Sequence, residues 1–390
     1  MIELRLIKIL FVSIIIVFIL IINGPKVDGE IVGSKEIRSI FISYIEISKY
    51  LYDKDEVSGK NEVNLMINNI KEMGFNEVIL QVRSFCDAIY PSKIFPWSKY
   101  ISSTGDYRFD VLGYFIEECH KFDIKVIGWI NPYRISNQMN LYDISFNSPA
   151  YKYLNSDVVY VNNGMYFNPS KKEVKELIIS GIREILDNYD IDGILFDDYF
   201  YPDNEIDRED YNNYLLTNKY ISKEEYNLSI INDLVSEVYK LCHEYDVLFG
   251  ISPDGNIDNN YNKVFCDVKR WGSSSGYVDF IMPQVYYGFY NETKPFKKVV
   301  EEWEKLVSNE NVLLRVALAF YKVGSVDEYA KSGSYEWVIH GDIIMREIVL
   351  SRNLDKYQGF GLFRYDYLFN SDMYNEMTLI EIENLKKILN

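Results

Sequence analysis

Apolar runs of strand length alternate along this chain with longer stretches whose apolar residues recur every three or four positions. The β-rich runs fall at Ile37–Ile47, Glu77–Val82, Ile124–Ile130, Gly193–Phe196, Val247–Ile251, Val278–Pro283, Val312–Phe320 and Gly359–Phe363. Between the first two, Val63, Met66, Ile67, Ile70 and Met73 have the spacing of one helix face. Further helices are predicted over Phe109–Phe122, Lys171–Asn188, Lys223–Tyr245, Lys297–Leu306 and Trp337–Arg352. One junction recurs: "CHKFDIKVIGW", "DNYDIDGILF" and "CHEYDVLFGI" each pass from an aromatic through aspartate and a β-branched residue into a strand. Such repetition marks one supersecondary unit used several times. His120 and His243 stand at helix ends in two of these copies and are read as structural, favoured there by the helix dipole.

Eight strands alternating with helices predict an α/β fold, a (β/α)8 TIM barrel, as a single domain over residues 36–390. A doubly wound open sheet is the competing architecture, but no Gly-rich phosphate loop follows any strand. No linker rich in Pro, Gly or Ser interrupts the chain after residue 35. The longest insertion, Arg134–Pro169, follows the third strand and is expected to overhang the top of the barrel.

Such barrels carry their chemistry at the C-terminal ends of the strands. The second strand runs into "QVRSFCDAIYPS", with Arg83 and Asp87, and the third into "WINPYR", with Asn131, Tyr133 and Arg134. The fourth gives Asp197, Asp198 and Tyr199; the fifth Asp254; the sixth Gln284 and Tyr286; the eighth Arg364, Tyr365 and Asp366. Singly, each has a plain structural reading. Arg83 and Asp87 can be an ion pair, the prolines after Asn131 and Ser252 can end strands, Asp366 can be a loop residue, and Tyr286 can be packing. Together they bring carboxylate, amide, guanidinium and aromatic groups to one rim. That combination suits a carbohydrate: aromatic faces stack on sugar C–H surfaces, polar groups take the hydroxyls, and carboxylates serve as acid, base or nucleophile.

Composition narrows the partners. The chain has 390 residues, 48% hydrophobic and 25% charged, enough to bury a large core. A net charge of -17 argues against nucleic acid and anionic lipid surfaces. The 34 tyrosines fit sugar-stacking surfaces, and equally a codon bias toward Tyr, Asn, Ile and Lys. Arg5 and Lys8 precede an apolar run from Ile9 to Ile22, short for a membrane span and suited to a signal-peptide core. Residues 1–29 are therefore read as a signal peptide or N-terminal membrane anchor, with the folded part secreted or at the cell surface. Cys86, Cys119, Cys242 and Cys266 form no CxxC pair and are read as buried free thiols, with a disulfide left open. His340 is the remaining histidine; no metal site and no cofactor are expected.

With those motifs assembled, the chain resembles the glycosyl-hydrolase-like 10 family from about Arg38 to Tyr367. The resemblance is carried by "QVR…DAIYPSKIFPWS", "NPYR", "DGILFDDYFYP", "GISPDG" and "VDFIMPQVYY", in that order. It implies a (β/α)8 barrel, export, and glycosidase activity, with members linked to bacterial cell-wall glycan, including strands stripped of peptide. This chain departs from the family pattern at Ser84-Phe85-Cys86, where a Pro- and Gly-containing turn is expected, and at Asp254, where an apolar or aromatic residue is usual. Arg364-Tyr365-Asp366 is also more charged than the family ending. These departures bear on the substrate subsites rather than on the barrel.

Adjacent acids at the end of the fourth strand are similar to sites in hexosaminidases that use the substrate's own acetamido group as nucleophile. On that resemblance Asp197 orients or polarises the acetamide and Asp198 is the general acid/base. A conventional mechanism pairs Asp198 with Asp254 or Asp87 instead. Two further alternatives stand: a catalytically silent exported glycan-binding protein, and a glycosidase acting on a non-acetylated polysaccharide. The expected partner is a polysaccharide or glycan strand, with no nucleic acid, and with membrane contact only through an N-terminal anchor.

Overall fold

The computed structural model describes residues 36–141, 144–197 and 200–389. Glu36–Asn390 form one compact unit. The predicted signal or anchor segment, 1–29, lies outside the described residues.

Eight parallel strands close into a barrel: β1 (Ile37–Ile42), β2 (Glu77–Arg83), β3 (Lys125–Ile130), β4 (Gly193–Phe196), β5 (Leu248–Ile251), β6 (Phe280–Ile281), β7 (Leu313–Leu318) and β8 (Tyr357–Leu362). Each strand pairs with its neighbours in sequence, and β8 closes on β1 with Leu362 opposite Ile40. The principal helices are α1 (Tyr44–Leu51), α2 (Glu56–Glu72), α3 (Val111–His120), α4 (Lys172–Asn188), α5 (Arg208–Thr217), α6 (Lys223–Glu244), α7 (Phe296–Leu306), α8 (Ile343–Ser351) and α9 (Glu376–Leu389).

The expected elements are present, with local differences. The first strand stops at Ile42 rather than running to Ile47, because Ser43 and Glu46 form a reciprocal capping box that starts α1. The helix predicted over Trp337–Arg352 divides at His340–Asp342 into a short turn and α8. The Arg134–Pro169 insertion folds a three-stranded antiparallel sheet in which Met165–Phe167 pairs with both Arg134–Ser136 and Val159–Val161.

Two apolar layers build the core. One lies between strands and helices; the other fills the barrel with Phe41, Ile79, Ile127, Leu195, Phe280, Met282 and Ala317. Gly250 on β5 makes room for this inner layer, since a Cβ there would lie 2.2 Å from the Phe280 ring. Below it, Arg315 Nη1 meets Glu77 Oε1 at 3.0 Å, with the pair 1% and 0% exposed at the side chains. Ser39 donates its hydroxyl to Glu77 at 2.6 Å, Arg315 Nε donates to Gln358 at 2.7 Å, and the guanidinium lies over Phe280. The foot of the barrel is therefore polar but fully paired.

The repeated junction is a structural staple. Asp123 and Asp246 hold the left-handed turn out of α3 and α6, with φ of 56° each. His120 Nε2 at the end of α3 lies 2.9 Å from Asp192, whose carboxylate also accepts the Val126 N–H of β3 at 2.8 Å. His243 Nε2 repeats the contact with Asp279 at 2.9 Å, and Asp279 accepts the Phe249 N–H of β5 at 2.8 Å. Each staple ties a helix end to two strand feet. All four cysteines are buried free thiols.

The docking of α9 on α8 places acids together. Glu347 and Glu381 are both fully buried, and Glu336 and Asp342 approach from the preceding turn. Neither oxygen of Glu347 has a hydrogen-bond partner. Burial, then the neighbouring carboxylates, raise Glu347 well above the ordinary carboxyl range, with Lys322 and Arg346 opposing. Burial pushes Glu381 from 4.5 up to about 7, against the Met345 N–H that it accepts. A raised folded-state pKa contributes stability that is complete below pH 4.5 and lost as pH rises through about 7. Glu381→Gln should accordingly flatten the fall in melting temperature between pH 5 and 8 relative to the parent protein; parallel curves would contradict this placement of the proton.

Candidate active site

A cavity of about 370 Å³ opens at the C-terminal end of the barrel, within the range of small-ligand sites. One half of its lining is polar: Gln81 from β2, Asp197 just past β4, Ser252 past β5, Gln284 past β6, Arg134 and Arg364. The other half is aromatic. Phe41 meets Trp129 edge-on at 5.8 Å, Phe363 lies 5.7 Å from Phe41, and Tyr286 lies 5.9 Å from both Phe363 and Tyr321. Such a lining offers ring faces for stacking beside hydrogen-bonding groups.

Among the described residues Asp197 is the carboxylate that lines this cavity, and it is 3% exposed. Its Oδ2 accepts from the Trp129 indole N–H at 3.0 Å and from the Asn131 amide. Both donors come from β3, one within the strand and one just past it, because β3 and β4 pair in register with Trp129 opposite Leu195 and Ile130 opposite Phe196. An indole N–H only donates, so Oδ2 acts as an acceptor toward Trp129. Elsewhere in the lining Arg364 pairs with the buried Glu46, which also accepts the Ser43 N–H at 2.9 Å and hydroxyl at 2.6 Å. Gln284 donates to the Ser252 carbonyl at 3.0 Å.

The residues expected at the rim divide into two groups. Asp197, Arg134, Gln284, Tyr286 and Arg364 line the cavity, and Asn131 reaches it through Asp197. Asp198 and Tyr199 lie outside the described residues. Arg83 is turned the other way: two residues of β2 advance against one of β3 between Gln81 and Arg83, and that bulge reverses the facing. Its guanidinium lies 3.9 Å over the Phe95 ring, against Gly181 of α4, where a Cβ would be 2.3 Å from Nη1. No Arg83–Asp87 ion pair forms among the described residues; Asp87 lines a separate hollow of about 70 Å³ beside Phe85, Trp97 and Lys99. Burial there raises its carboxyl to about 6, with Ser98 opposing.

Tyr133 is buried on the outer side, facing a groove between α4 and α6. Asp254 organises its own loop, accepting from the Asn256 N–H and from Asn259, each at 2.8 Å. Tyr365 packs under the mouth, with its hydroxyl accepting from Asn69 at 2.9 Å, and Asp366 pairs with Lys49 at 2.9 Å. Tyr367, one helical step on, lines the cavity in their place.

Gln81, Trp129, Ser252, Tyr321 and Phe363 are site residues that the strand-end reading passes over. Gln81 did carry a signal, as the lone amide inside the buried run "VILQV". Trp129 sits one pleat below the strand end, where a barrel interior and a ligand floor look alike in sequence.

A sequence model described as Glycosyl hydrolase-like 10 matches residues 36–335. Glycosyl hydrolase YngK of Bacillus subtilis is 29% identical over 358 residues, covering 84% of this chain and 68% of that protein. Glycosyl hydrolase DigH of Escherichia coli is 28% identical over 334 residues, covering 77% and 74%. In fold, the PgaB (BpsB) glycoside hydrolase domain from Bordetella bronchiseptica superposes with a TM-score of 0.59 at 12% identity, over 91% of this chain and 99% of that one. The match extends over most of the barrel described above, and the chain belongs to the glycosyl hydrolase-like 10 family as a TIM-barrel glycoside hydrolase.

Proposed function

We propose that this enzyme is exported and cleaves an N-acetylated cell-wall polysaccharide, with peptide-free peptidoglycan strands as its substrate. The observation that carries the reading is the setting of Asp197: an acceptor carboxylate, held by Trp129 and Asn131, in a cavity lined by aromatic and polar groups together. An acetamido group matches that setting on both counts. Its N–H is a donor for Asp197, and its methyl is small and apolar, suited to the Trp129 and Phe363 rings.

In this reading Asp197 aligns the acetamide so that its carbonyl oxygen attacks the anomeric carbon as the glycosidic C–O bond breaks. Asp198, the next residue, gives its proton to the departing oxygen and takes one back from the water that opens the cyclic intermediate. Export is supported by Arg5 and Lys8 ahead of the apolar run to Ile22. The test is incubation of the purified mature domain with defined peptide-free cell-wall glycan, read by mass spectrometry. New shortened fragments are expected. Binding without fragments would support a silent glycan-binding protein, and cleavage confined to non-acetylated polysaccharides would overturn the acetamide reading.

A further inference from the structure

The hydrogen bonds around Asp197 take their polarity from outside the site. A backbone N–H can only donate, and the Tyr44 N–H, in the first turn of α1, donates to Gln81 Oε1 at 2.9 Å. That contact fixes the Gln81 amide, so Nε2 faces Asn131 and requires an acceptor. Asn131 Oδ1 accepts it at 2.6 Å. Nδ2 of Asn131 is then the atom turned to Asp197. Gln81 and Asn131 are each 1% exposed, so bulk water offers neither an alternative partner.

We propose that Gln81 is a positioning residue of the reaction: it relays the Tyr44 donor through Asn131 and thereby keeps Asp197 presented to substrate as an acceptor. The inference rests on the reading of Asp197 as the orienting carboxylate. Without Gln81, the Asn131 amide is free to rotate and turn its oxygen to Asp197, an arrangement that only a protonated carboxyl tolerates. Among the described residues the other ionisable groups lining this cavity are Arg134, Arg364 with its partner Glu46, and the hydroxyls of Tyr44, Tyr286, Tyr321 and Tyr367.

Gln81→Glu keeps the side-chain shape but presents two acceptors. It retains the Tyr44 bond and draws Asn131 Nδ2 away from Asp197. Gln81→Met removes the relay without adding charge. On peptide-free cell-wall glycan, Gln81→Glu should lower kcat by ~10- to 100-fold, as when an outer partner that orients a functional ligand is lost. KM should change by less than about threefold, because the aromatic and other polar contacts to the sugar are untouched. The acid limb of the kcat–pH profile should move up by about one unit, since a carboxyl facing an acceptor holds its proton more strongly. Gln81→Met should move kcat and the acid limb in the same directions, by less. Melting curves establish that both variants are folded. Asp197→Asn, assayed alongside, separates the two claims. If it is inactive while both folded Gln81 variants keep the parental kcat and acid limb, the Gln81 inference fails alone. If Asp197→Asn keeps parental turnover, the reading of Asp197 fails beneath it.

Discussion

Asp198→Asn is expected to lose ~10²–10⁴-fold in kcat on glycan strands while its melting temperature stays near that of the parent. The asparagine amide preserves size and polarity but has no proton to give a departing sugar oxygen. The loss should therefore depend on the leaving group. An aryl N-acetylglycoside with an acidic phenol departs without protonation, so Asp198→Asn should recover most of its activity on that substrate. Asp197→Asn should not recover, because alignment of the acetamide is needed whatever leaves. Equal impairment of Asp198→Asn on both substrates would remove the general-acid role.

The second large effect concerns stability. Glu77→Gln should destabilise the barrel by ~3–5 kcal/mol, because it leaves the Arg315 charge buried without its counter-ion. With an unfolding entropy of ~2.1 cal/mol/K per residue, a body of this size should lose roughly 4–7 °C in melting temperature. Arg315→Met should cost a similar amount, through the orphaned Glu77 carboxylate. The double variant Glu77→Gln/Arg315→Met should cost less than either single change, since it leaves no unpaired charge. Additive losses in calorimetry would mean that the pair is not coupled, against the geometry at the barrel foot.

The order of strands and helices was legible because strand-length apolar runs and helical periodicity are long-range, redundant signals. The strand-end rule likewise pointed to Asp197, Gln284, Tyr286 and Arg364, which line the cavity at the barrel mouth. Facing was harder to read. Every residue of β2 is buried, so the run has no in–out alternation from which to infer which side chains point into the barrel. A single bulge after Gln81 then sends Arg83 under the helices and leaves Gln81 as the residue at the site. Asp254 and Tyr365 lie away from this cavity for a related reason. A carboxylate that organises its own loop, or a tyrosine that packs beneath a mouth, has the same sequence position as one that meets a ligand. The buried carboxyls Glu347 and Glu381 left no trace at all, because their encounter depends on how α9 docks onto α8.

The central claim is that Asp197 receives an acetamido group in the cavity that it lines with aromatic and polar groups. A crystal structure of Asp198→Asn with a short N-acetylated cell-wall oligosaccharide tests it directly. The account predicts one sugar seated in the cavity with its acetamide N–H within hydrogen-bond distance of Asp197 and its methyl against Trp129. An oligosaccharide bound with its acetamide directed away from Asp197, or bound elsewhere on the barrel, would contradict it.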